Sequence, residues 1–185
     1  PQAIVPCPEW NLATDFRVLP NQENPNRDSC GNLNVWYFLE SDPNTYPAHL
    51  PAGYTLLPEF INDLLFIPGL EEWQGSVVSI NDKDKLPAIG INATGVTQYF
   101  RGIVWPAGLM RFHPLTNSPA IVGWRSPING TVMVDGGVND LDNSCGDSIS
   151  WFIDHYDGLT NTTLASGSIP LGGSQNFANG VNGAS

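Results

Sequence analysis

From Gly75 onward the chain is a series of short apolar segments, each cut off by a turn after a handful of residues. Gly75–Ile80, Val96–Phe100, Gly102–Trp105, Leu109–His113, Ala120–Arg125, Thr131–Val134, Thr163–Ile169 and Ser174–Ala178 all read as strands. Ser148–Tyr156 alternates most cleanly, with Ile149, Trp151 and Ile153 on one parity and Ser148, Ser150 and Asp154 on the other. Between these runs lie the charged turn Asn81–Lys85, the turn Pro106-Ala107-Gly108, and Asn129-Gly130 inside a hairpin signal over Ile128–Thr131. Strands repeating about every ten residues point to an antiparallel β-sandwich or barrel. No helix-period stretch is long enough for a βαβ unit, and no fixed-period repeat is present. With 19 Gly and 16 Pro the chain is a poor helix former. With 41% hydrophobic residues and six Trp it has too much apolar surface to stay unfolded.

The whole chain, 1–185, reads as a single β-sandwich domain in two parts. Residues 1–73 are loop-rich and irregular, and residues 74–185 carry the regular strands. In the first part, Asn21–Asn34 is almost pure turn chemistry. Val35–Leu39 is a short aromatic strand, and Phe60–Ile67 reads as either a strand or one short helix. Cys7 and Cys30 are the pair expected to form a disulfide in an oxidising compartment. Cys145 is then a buried free thiol or is paired with a cysteine elsewhere.

Seven basic against 18 acidic residues give a net charge of −11. That balance disfavours nucleic acid and anionic membrane surfaces. Neutral glycans and divalent cations stay open as ligands. No segment approaches the roughly 20 apolar residues of a membrane span. The start at Pro1, without Met or a signal peptide, reads as a processed or trimmed end.

Val122-Gly123-Trp124-Arg125-Ser126-Pro127-Ile128-Asn129-Gly130-Thr131-Val132 resembles the V-x-W-x-S-P-x-x-G-T-V pattern of secreted bacterial β-sandwich domains, many of them PEP-CTERM-type exported proteins. The similarity runs on through Gly136–Asp142, Gly146–Asp154, Leu164–Ile169 and Gly173–Phe177. Upstream, Asp15-Phe16, Asn24-Pro25-Asn26, Trp36-Tyr37, Pro106-Ala107-Gly108 and His113-Pro114 are similar to the family's opening strand and loops. The resemblance implies a jelly-roll-like sandwich, export to the periplasm or cell surface, and carbohydrate binding. Members of that family continue beyond the equivalent of residues 179–185 with a closing strand pair. Here either the sandwich lacks those strands, leaving an edge for another chain, or the sequence is a part of a longer one.

Candidate site residues fall into two groups. Trp36, Tyr37, Trp73 and Tyr99 are the candidates for an aromatic platform that stacks on sugar rings, while Trp124 and Trp151 lie on the core parity of their strands. Asp135, Asp140, Asp142, Asn143 and Asp147 cluster hard oxygen ligands on a Gly-rich loop suited to Ca²⁺, without EF-hand spacing. The same residues are equally the material of Asx-turns. Nothing matches a nucleophile elbow, a His-Glu-x-x-His zinc motif or a phosphate loop. Glu71 and Glu72 are adjacent on a strand and face opposite ways, so they cannot flank one glycosidic bond. The expected function is a non-catalytic exported surface module that binds polysaccharide. The alternative is a structural subunit, homo-oligomeric or mixed, packing through its open edge or through loop tips at Tyr46, Tyr54, Leu64, Leu65 and Phe66.

Overall fold

The computed structural model describes residues 7–20, 22–44, 48–79, 81–142, 144 and 148–177. They form an all-β protein of antiparallel sheets, with one four-residue helix and two short 3₁₀ turns. Among the described residues no helix is long and apolar enough to cross a membrane. The strands are β1 (Trp36–Ser41), β2 (Tyr54–Leu56), β3 (Glu59–Ile61), β4 (Leu70–Val78), β5 (Lys85–Asn92), β6 (Gln98–Phe100) and β7 (Ile103–Trp105). They continue with β8 (Met110–His113), β9 (Ala120–Trp124), β10 (Gly137–Asn139), β11 (Ile149–Tyr156), β12 (Asn161–Ile169) and β13 (Ser174–Asn176). The chain divides into two compact units, residues 1–97 with 106–128 and residues 98–105 with 129–185.

The first unit is a sandwich of a β2-β1-β9 sheet and a β3-β4-β5-β8 sheet. Phe38 of β1 stacks on Trp73 of β4 with centroids 6.2 Å apart and planes 11° apart. Phe16, Val35, Trp36, Leu57, Ile89 and Ile91 complete the buried cluster between the sheets. The segment 1–73 is rich in loops, yet it supplies more than half of this core. Its irregular stretch is stapled by buried polar groups. Asp15 accepts from Ser29 N and from Trp36 Nε1 at 2.9 and 2.8 Å. Asn24 mimics a strand, donating to Phe38 O and Leu57 O and accepting from Phe38 N. Cys7 and Cys30 form the disulfide, with Cα atoms 5.9 Å apart.

Strand β5 lies inside the sheet, between β4 and β8, although the sequence reading has only a turn over Asn81–Lys85 and no strand after it. Pro87 and Gly90 conceal it, since proline removes a ladder donor and glycine weakens a strand. The β4–β5 register explains the exception. Gln74 pairs with Ala88 and Val77 with Leu86, so Pro87 faces a bulge at Gly75 and Ser76. A Cβ on Gly75 would strike Leu86 O and Pro87 Cδ, so the bulge needs glycine. Phe60–Ile67 resolves into β3 and a 3₁₀ turn at Leu64–Phe66. Thr131–Val134 is not a strand, and β9 ends at Trp124, so the hairpin signal at Ile128–Thr131 forms only bends.

The second unit consists of three two-stranded antiparallel sheets, β6-β7, β10-β13 and β11-β12. Trp105 and Ile169 are its fully buried hydrophobic residues among those described. Val104 N reaches Leu141 O at 3.3 Å, which joins the β6-β7 hairpin to the loop after β10. A register shift after Ile153 on the β11–β12 ladder opposes Asp154 to Thr163 and leaves Leu164 as the extra residue.

Candidate functional site

Trp151 sits near the middle of β11, directly opposite Gly167 of β12. Any side chain at Gly167 would collide with the indole, so glycine lets the ring lie against the β12 backbone. Gln175 on β13 fixes the ring edge, with Trp151 Nε1 donating to Gln175 Oε1 at 3.0 Å. Phe177 adds a second ring, centroid 5.3 Å from Trp151 and tilted by 41°. Phe177 is positioned in turn by Gly136: its N–H donates to Gly136 O at 3.0 Å, and a Cβ on Gly136 would hit the ring. Both rings are half-buried, and Gln175 and Asn176 beside them are exposed. The result is an aromatic ledge formed by β11 and the residue after β13, bordered by amide side chains. All its members belong to the second unit.

The sequence-predicted platform residues are distributed otherwise. Trp36 and Trp73 are 7% and 5% exposed and belong to the sandwich core, so neither offers a face to a ligand. This corrects the expectation for those two residues. Their strands are apolar on the parity facing the opposite sheet, and burying an indole there removes more apolar surface than any other choice. Tyr37 lies on the other face of β1, half-buried and opposite Gly123. Tyr99 is 74% exposed on β6, paired with Val104. Trp124 is half-buried, its ring centroid 5.2 Å from that of Trp10. Trp151, assigned by parity to the core, is the ring that the structure leaves partly open. Glycines opposite aromatic positions, Gly167 above all, were the available signal.

In the acidic loop, Asp140 accepts from Asp142 N at 3.1 Å and from Gly172 N at 2.9 Å. Asp142 Oδ1 accepts from Ser144 N at 3.0 Å and from its hydroxyl at 2.5 Å. The contacts of Asp140 with Asp142 and of Asp142 with Ser144 are turn-closing Asx contacts, and the Gly172 contact ties the loop to the turn between β12 and β13. Asp135 is exposed. Asn143, Cys145 and Asp147 lie outside the described residues, as does Tyr46. Cys7, Asp28 and Cys30 offer donor atoms within 4.8 Å of one another. The two sulfurs are consumed by the disulfide, however. The Asp28 carboxylate already takes Trp10 Nε1, Cys30 N, Asn32 N and Asn32 Nδ2.

Glu71 and Glu72 face opposite ways, as strand geometry requires. Glu71 approaches Arg17 at 3.6 Å, whereas Glu72 is fully buried and receives Arg111 Nη1 at 2.9 Å. Arg111 Nη2 also lies 2.8 Å from His113 Nδ1. Arginine can only donate, so His113 Nδ1 is the acceptor and the imidazole is neutral. Burial, and then the Arg111 charge, push the His113 pKa down to about 4. Burial raises the Glu72 pKa, and Arg111 partly offsets this.

Comparison of the chain with protein-family models, with curated proteins and with solved structures gives no match in any of the three.

Proposed function

We propose that the protein is a non-catalytic, exported β-sandwich module that binds a neutral polysaccharide through the Trp151–Phe177 ledge. The observation that carries this reading is the ledge itself. Two rings, Trp151 on β11 and Phe177 just past the end of β13, are held in place by glycines and an amide and remain partly open. An aromatic face is electron-rich and attracts the C–H face of a pyranose. Exposed Gln175 and Asn176 supply donors and acceptors for the hydroxyls, and Tyr99 offers a third, exposed ring in the same unit. The net charge of −11 favours a neutral polymer over an anionic one. The disulfide and the resemblance to exported domains support a place outside the cytoplasm. Affinity electrophoresis in gels containing soluble neutral polysaccharides tests the reading. Retardation that Trp151→Ala abolishes and Trp36→Phe leaves intact is expected. Migration unchanged by every polysaccharide overturns it.

A second reading, a structural subunit of an extracytoplasmic assembly, is favoured by apolar side chains on the β11–β12 hairpin. Phe152, Tyr156 and Leu159 are 47%, 48% and 91% exposed. Phe66, 70% exposed beyond β3, is the expected loop tip that remains outside, whereas Leu64 is buried. The native mass of the protein from its source decides between a monomer and an assembly. Calcium at Asp135, Asp140 and Asp142 is proposed alongside. Chelation should lower the melting temperature if an ion is held there, and leave it unchanged if the loop is closed by its own hydrogen bonds alone.

A further inference from the structure

The β11–β12 ribbon has two long outer edges, and they are guarded unequally. β11 carries Asp154 and His155. β12, nine residues long, holds no charged side chain and no proline. Among the described residues β12 pairs with β11 alone, and no backbone group outside that ladder bonds to Thr162–Ile169.

Exposed strand edges are ordinarily kept from pairing by shortness, by a charge, by proline or by a bulge. The other edge strands follow that rule. β2, β3, β6, β7, β10 and β13 have three residues each. β8 has four and carries Arg111, and β9, which is uncharged, has five. β12 is guarded only by its register shift beside Thr163 and Leu164. Beyond the shift, Ala165–Ile169 continues in unbroken register with β11 and leaves a regular outer edge.

A molecule of net charge −11 repels its own copies, so two of them meet most easily along an uncharged surface. β12 is the longest uncharged edge among the described strands. A basic partner would gain nothing from an edge without charge. The sequence Ala165-Ser166-Gly167-Ser168-Ile169 is also self-complementary when paired antiparallel about Gly167. Ser166 then faces Ser168 of the second copy, and each hydroxyl both donates and accepts. Both serines are exposed, and Gly167 meets its own equivalent with no side chain intervening.

We propose that two copies of this chain pair antiparallel through β12, centred on Gly167, to form one continuous sheet of order β11-β12-β12-β11. A ribbon of two strands is marginal by itself, and joining two ribbons removes that weakness. The two-fold axis of such a pair stands perpendicular to the sheet, so equivalent faces of the two copies point the same way. Both Trp151 rings, each lying against its own Gly167, then share one side of the joined sheet. This pairing gives the subunit reading a specific contact and does not depend on polysaccharide binding.

Sedimentation velocity of the full chain over a range of concentrations, without polysaccharide, tests the pairing. A reversible rise from the 20.0 kDa monomer to twice that mass is expected. Amide-exchange protection of Ala165–Ile169 in the unmodified protein should rise with concentration in parallel, a readout that needs no variant. Replacing both serines by lysine (Ser166→Lys with Ser168→Lys), or both by glutamate (Ser166→Glu with Ser168→Glu), sets like charges against each other across the axis, and each variant alone should stay monomeric. An equal mixture of the two sets lysine against glutamate and should restore a dimer, which a folding defect would not do. A chain that stays monomeric at every concentration overturns the pairing. An assembly that persists in both variants also overturns it, but leaves the subunit reading standing with a different contact.

Discussion

Gly90 is glycine because of the side chain on the next strand. A Cβ there would occupy the position of Glu72 Cγ and press on Glu71 O. Gly90→Ala should therefore cost about 1–3 kcal/mol by overpacking, read as a lower urea midpoint. Arg111→Met should cost more, about 3–5 kcal/mol, because it leaves the buried Glu72 carboxylate without its cation. The variant that also carries Glu72→Leu should recover part of that loss. His113 makes a signed prediction about acid. Its folded pKa of about 4 lies below the ordinary 6.5, so between these values the unfolded chain takes up a proton that the folded chain refuses. Stability then falls as pH drops from 6.5 toward 4, by at most about 1.4 kcal/mol per pH unit, and levels off below. Glu72 acts in the opposite direction, because its raised pKa adds stability as pH falls toward its ordinary 4.5. His113→Asn keeps an acceptor for Arg111 and should remove the His113 part of the decline in a pH series of denaturant melts.

Two elements depend on local devices that a substitution can remove. The central strand β5 tolerates Pro87 because the bulge at Gly75 and Ser76 excuses the missing donor. Gly75→Val would drive a branched side chain into Leu86 O and should disrupt the β4–β5 ladder, seen as loss of amide-exchange protection from Ala88 to Ile91. The β11–β12 hairpin is closed by Asp157, which accepts from Leu159 N, Thr160 N and Thr160 Oγ1. Those bonds, the backbone ones first, lower its pKa to about 2. The contribution is present above the ordinary 3.8 and is lost as pH falls from there toward 2. Asp157→Ala should raise exchange at Leu159 and Thr160 and leave the first unit unchanged.

At the scale of the molecule, the disulfide ties the irregular N-terminal stretch to the first unit. It closes a loop of 23 residues in sequence separation. By the chain-entropy estimate such a link is worth about 3 kcal/mol. Reduction should therefore lower the melting of the first unit, measured with and without dithiothreitol. The second unit is built from three two-stranded sheets, a construction that is marginal without further packing. Its exchange protection should be lower throughout than that of Phe38, Ile89 and Ile91.

The all-β class was legible in the sequence because strand and turn chemistry are local. β-branched and aromatic runs, and the Gly, Pro and Asn that interrupt them, act over a few residues. The same locality made the strands around Trp36, Ile149 and Ile169 readable, and made Cys7 with Cys30 the natural pair. What lay beyond the sequence were the features that a second strand decides. Pro87 looks like a strand breaker until its partner strand supplies a bulge. Trp36 and Trp73 look like a platform until the opposing sheet covers them, and Trp151 looks like core until Gly167 lets it lie open. Glu72 and Arg111 carry no shared motif, and only sheet register brings them together. Burial and charge balance belong to neighbours distant in the chain, so they were settled by the tertiary structure alone.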